Sequence, residues 1–168
     1  MDVDEQPQRQ SPKTLHVPIP SDVLQSLIHA PFCSHHFGRC ESRHVLVLRE
    51  PKRTAKLQKL LSMTPPEGCG SAVCTVLLCG DTHAQQTLGL LISDCYDAAT
   101  ALLLEARRHG LSLAHVRTFP NPAIMRSVRD LLAIPEHIIP FSATMLYAPS
   151  QEQISKEPGA NAIHSNAW

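Results

Sequence analysis

Residues 94–112 read DCYDAATALLLEARRHGLS, and this stretch decides the fold. Extended back to Leu88, it sets Leu91, Cys95, Ala98, Leu102 and Ala106 three or four residues apart, the spacing of one helical face. Arg107, Arg108 and His109 fall in the last turn, where positive charge opposes the negative end of the helix dipole. Gly110 follows where a helix commonly ends in a left-handed residue. The spacing predicts a helix over about 88–109. Much of its surface is apolar, so burial is expected.

Upstream, Ala72 to Cys79 is an apolar run of strand length, stopped by Gly80-Asp81. VLVL within 44–49 predicts another buried strand. Between them Pro51 opens a helix whose apolar set is Ala55, Leu57, Leu60 and Leu61. Before both, Ser21 caps a helix with Val23, Leu24, Leu27 and Ile28 on one face. Ala30-Pro31 is expected to end it, because proline disfavours helical geometry in the residue before it. Residues 32–43 and 64–71 then read as loops. Downstream, Asn121-Pro122 starts a helix with the stripe Ile124, Val128, Leu131 and Leu132, closed by Pro135. Residues 138–147 read as the last strand. The order αβαβααβ predicts one α+β domain over 1–168, a mixed sheet wrapped by helices, with residues 1–8 disordered.

Apolar residues make up 43% of the 168, enough for a core, and basic and acidic residues balance at 15 each. Nothing electrostatic points to nucleic acid or a membrane surface. No apolar run approaches the roughly 20 residues that span a bilayer. The N-terminus MDVDEQPQRQ is polar and acidic, unlike a targeting peptide, so a cytoplasmic location is expected. Six cysteines lie at positions 33, 40, 69, 74, 79 and 95 with no CxxC pair, which fits reduced structural thiols.

Three blocks carry a family likeness. Arg9-Gln10-Ser11-Pro12-Lys13 precedes VPIPSDVLQSLIHAP; residues 94–112 form the second block; VRDLLAIPEHIIPFSATMLYAP, from Val128 to Pro149, is the third. The tail from Ile163-His164 to Trp168 adds to them. In this order and spacing the chain resembles the short form of the FMN-dependent nitroreductase family from Arg9 to Trp168. The resemblance implies an FMN-dependent NAD(P)H oxidoreductase that reduces nitro compounds, quinones or similar acceptors. It also implies a homodimer with FMN at the subunit interface, the central helix lying there.

Hydride transfer belongs to the flavin, so no catalytic side chain is required; the protein supplies position and electrostatics. The resemblance assigns Arg9, Ser11 and Lys13, with Gln10 among them, to the FMN phosphate. Alternate positions in an extended segment aim those three side chains to one side. For the ring it points to Pro31, Phe32, Cys33 and His35, and to the Gly110-Leu111-Ser112 segment. Here the chain departs from the family pattern. Phe32 replaces a serine, Glu41-Ser42-Arg43 replaces Gln-Pro-Trp, Ser112 replaces a glycine, and His115 or Val116 stands where an aromatic is usual.

Two other readings stay open. A divergent member that has lost flavin would be a binding protein on the same scaffold. The cluster His29, Cys33, His35, His36, Cys40 and His44 holds zinc-ligand types in no known finger spacing. The primary reading needs no metal.

Overall fold

The computed structural model describes residues 19–33, 40–84 and 87–148. Two segments, Cys74–Asp81 (β2) and Ile138–Tyr147 (β4), bury nearly every residue. A strand buried on both faces needs cover on both, and these two pair at the centre of the sheet. Arg43–Leu48 (β1) flanks β2, and Ser112–Arg117 (β3) flanks β4, giving the order β1-β2-β4-β3. Every described pairing is antiparallel.

Helices Ser21–Cys33 (α1) and Leu88–Arg108 (α3) cover one face, where Leu27, Leu102 and Ala106 pack on Cys74, Val76 and Leu146. Helices Pro51–Leu60 (α2) and Pro122–Leu132 (α4) cover the other, where Leu57 and Val128 pack on Leu77, Ala143, Met145 and Tyr147. A β-bulge lets both faces stay apolar. Leu78 pairs with Ser142 but Cys79 pairs with Pro140, so Phe141 is the extra residue on β4. The extra residue turns Phe141 towards α3, where it packs with Leu78, Leu91 and Cys95.

α3 lies very close to the sheet. A Cβ added at Gly80 would sit 3.0 Å from Leu91 Cδ1 and 3.1 Å from Cys95 Sγ. The face α3 presents there includes the small residues Cys95, Ala98, Ala99 and Ala106, all buried. Its far side keeps Leu88 and Leu104 exposed, at 52% and 61%. Among the described residues, the helix is therefore packed mainly on one face.

The α+β class, α2, α3, α4 and the β4 limits match expectation. Three local readings are corrected. α1 does not stop at Ala30; it continues through Pro31 to Cys33. Proline there forfeits one helical hydrogen bond near the helix end, while its ring is buried and its carbonyl is taken by Arg43. β2 does not stop at Gly80-Asp81; both residues pair with β4, because glycine here serves close helix approach and not a turn. The order is αβαβαβαβ, since SLAHVR forms β3. That edge strand is half-buried on both sides, so it shows neither alternation nor an apolar run.

Among the described residues Cys33, Cys69, Cys74, Cys79 and Cys95 are free; Cys74, Cys79 and Cys95 are buried, Cys69 is part-buried and Cys33 is exposed. Burial pushes Cys74 up to about 11 and Cys79 and Cys95 up to about 12, so these three stay protonated and inert.

The Gly80 contact yields a stability prediction. Gly80→Ala must displace Leu91 or Cys95 and should cost about 1–3 kcal/mol in denaturant unfolding. Gly89→Ala meets nothing within 4 Å and should leave stability equal or raise it by up to about 1 kcal/mol.

Candidate functional site

Two of the segments singled out in the sequence fall among the described residues. The first is the turn from α3 into β3. Gly110 takes a φ of 67°, the left-handed region that disfavours a side chain. Its N–H donates to the Arg107 carbonyl at 2.9 Å, and the Leu111 N–H donates to the Ala106 carbonyl at 3.0 Å. This bond pair is the Schellman arrangement and ends the helix sharply. Among the described residues, nothing lies within 4 Å of a Cβ added at Gly110, so they leave space beside this backbone. Leu111 packs back against the α1–α3 cluster. Ser112 is buried and begins β3 opposite Tyr147.

The second segment is the end of α1. Pro31 is buried, and Phe32 and Cys33 are exposed. Arg43, itself buried, donates from Nη1 to the Pro31 carbonyl at 2.7 Å, and its guanidinium lies 5.9 Å from the centre of the Phe32 ring. A buried guanidinium thus stands beside Phe32. The sequence marked Arg43 only as part of the Glu41-Ser42-Arg43 departure, with His44 between it and VLVL. Arg9, Gln10, Ser11, Lys13 and His35 lie outside the described residues, as do residues 1–8.

Ser26 on α1 donates to Glu105 on α3. Between these helices, Cys33 at the α1 end shares a groove of about 500 Å³ with Leu104 and with Arg108 at the α3 end. Gly110 follows Arg108 by two residues, so both segments adjoin the α1–α3 seam.

Glu105 pins the two helices together. Arg108 donates to it from Nε at 2.9 Å and Nη2 at 2.6 Å, and His109 Nε2 lies 3.1 Å away. The Arg108 hydrogen bonds, then the Ser26 hydroxyl, bring its carboxyl down to about 2. His115, one of the two residues standing where an aromatic was expected, is part-buried on the edge strand with Nδ1 2.8 Å from Thr144 Oγ1. Burial and then the charge of Arg117 push its pKa down, which favours the neutral ring.

The residues of the 29–44 cluster are dispersed where they can be seen. His29 and Cys33 line the α1–α3 groove, whereas His44 stands on β1 and faces Asp81. His35, His36 and the Cys40 side chain are not described. No helix among the described residues is long and apolar enough to cross a membrane.

No protein-family model matches the chain. A protein of Methanothermobacter thermautotrophicus, provisionally named NADH dehydrogenase/NAD(P)H nitroreductase, is 25% identical over 89% of this chain and 78% of its own length. A crystal structure from Parabacteroides distasonis carrying the same provisional name superposes with a TM-score of 0.71 at 22% identity, covering 93% of this chain and 91% of that one. The FMN-dependent nitroreductase of Clostridium difficile superposes with a TM-score of 0.69 at 14% identity, covering 93% of each. At these identities the structures establish the fold.

The Glu105 network predicts a pH effect with a definite sign. A carboxyl held below its ordinary 4.5 contributes stability that is complete above that value and is lost as pH falls towards about 2. Glu105→Gln should lower thermal stability at pH 7 and flatten the stability decline between about pH 4.5 and 2 relative to the parent. Parallel acid melting curves for the two proteins check this.

Proposed function

We propose that this chain, a member of the nitroreductase family, is an FMN-dependent oxidoreductase. It takes hydride from NADH or NADPH and reduces nitro compounds, quinones or similar small acceptors. It works as a cytoplasmic homodimer of a single domain spanning 1–168. The observation that carries this reading is a fold shared over nine-tenths of the chain with an FMN-dependent nitroreductase. The archaeal relative's NAD(P)H nitroreductase name points the same way.

The donor set fits the cofactor. FMN carries a phosphate dianion and a flat ring. Arg9 supplies a planar fork, Ser11 a hydroxyl and Lys13 a point charge, with Gln10 between them. These residues hold the phosphate. The space that the described residues leave beside the Gly110 backbone, with Leu111 and Ser112 following, suits the approach of a flat ring to main-chain groups. Pro31, Phe32, Cys33 and His35 supply the other wall. When bound, the flavin supplies the hydride chemistry; the side chains orient it and exclude water.

Large apolar side chains exposed on α1 and α3 support the homodimer reading. Leu104 and Leu88 lie exposed on α3, and Phe32 on α1. Burying such side chains is favourable by about 25 cal/mol per Å².

FMN titration followed by fluorescence quenching tests the assignment. The parent should bind saturably, more loosely than a typical relative, because Phe32 and Ser112 depart from the family pattern. A charge-assisted hydrogen bond contributes about 1.5–3 kcal/mol, so Arg9→Ala should raise the FMN Kd roughly 10- to 100-fold. Riboflavin lacks the phosphate and should lose little affinity. Equal FMN affinity in parent and variant refutes the role of Arg9. No saturable quenching in the parent favours a binding protein on this scaffold.

A further inference from the structure

A cluster outside the proposed flavin site gathers metal-ligand side chains from three elements. Asp81 ends β2, His83 lies in the turn after it, and His137 precedes β4. One ligand atom from each lies within 4.8 Å of the other two. His44 on β1 brings its Nε2 to 3.6 Å from Asp81 Oδ2. The rings of His83 and His137 stack at 4.4 Å with 3° between their planes.

The backbone holds this geometry in place. The Thr82 N–H and hydroxyl both donate to the His137 carbonyl, at 3.1 and 2.9 Å. That double bond pair ties the turn to the start of β4. Asp81 Oδ1 accepts from the N–H of His83 at 2.7 Å and of Ala84 at 3.3 Å. One carboxylate oxygen therefore orders the turn, and Oδ2 remains directed to the imidazole side. A cavity of about 360 Å³ adjoins the cluster, and His44, Asp81 and His137 form part of its wall.

We propose that Asp81, His83 and His137, with His44 as a further ligand, bind a divalent transition metal such as zinc. Imidazole nitrogen with one carboxylate oxygen suits Zn²⁺, Ni²⁺ or Cu²⁺. Calcium and magnesium instead favour oxygen ligands, calcium taking six to eight. Ligand bonds of about 2.0–2.2 Å in a tetrahedron place ligand atoms roughly 3.3 Å apart. Closing from within 4.8 Å to that spacing asks the side chains to move by about an ångström, and the exposed His83 would have to turn out of its stack on His137. The metal would staple the ends of β1, β2 and β4 on the face covered by α2 and α4. This site is independent of the flavin reading.

The test is titration of the full-length chain with Zn²⁺ and with Co²⁺, read by calorimetry and by difference absorption. One equivalent should bind, and Co²⁺ should give tetrahedral ligand-field bands without thiolate-to-cobalt charge transfer. His83→Ala and His137→Ala should each weaken binding at least about tenfold. Zn²⁺ should raise the melting temperature of the parent and raise it less in the variants. Their metal-free melting temperatures and FMN affinity should match the parent, which separates ligand loss from misfolding. Absence of stoichiometric binding overturns the proposal. So does binding that both substitutions leave unchanged. Thiolate charge transfer that persists in both variants would place the metal at the 29–44 cysteines and overturn it as well.

Discussion

The packing of α3 against β2 at Gly80 is the contact on which the other placements depend. A side chain on the strand here would crowd Leu91 and Cys95 at 3.0–3.1 Å, so a glycine lets the helix lie this close without displacing either. Small buried residues along the same face continue the close approach. The bulge at Phe141 serves the same contact by turning an aromatic ring into the layer beneath α3. α1 then packs on α3 and on the sheet together, through Leu27, Leu102 and Val76. The direction of α3 also sets where its C-terminal turn emerges, and hence where Gly110 presents its backbone.

This arrangement separates two kinds of work. The face of α3 towards the sheet is apolar and tightly packed, and it fixes the domain. The α1–α3 seam is bridged by Ser26, Glu105, Arg108 and His109, a polar network that sets the register between the helices. The far side of α3 keeps large apolar side chains in solvent. That side is the surface the proposed second copy would cover.

Much of this was legible because the determinants were local. Asn121 accepts from the N–H groups of Ala123 and Ile124 at 3.1 Å each, as its position before Pro122 suggests. Gly110 takes the left-handed conformation that ends α3. What was not legible depended on partners distant in sequence. Pro31 sits inside a helix with its ring buried, and Arg43, twelve residues on, takes its carbonyl. Gly80 reads as a turn former but is a packing residue, a difference visible only with Leu91 above it. β3 exists because β4 offers it an edge; its own residues are too mixed to announce a strand. Of the candidate site, the Gly110 turn was placed by its residues alone. The burial of Arg43 was missed because nothing local shows that a charge before a strand will be buried.

The central claim is that two subunits complete one flavin site. Native mass spectrometry of the chain mixed with FMN measures particle size and cofactor count together. The account predicts a two-chain particle that carries FMN in equal number to its chains, and loss of the flavin when the particle dissociates. A single chain that retains FMN, or a particle of any size that takes up none, would contradict it.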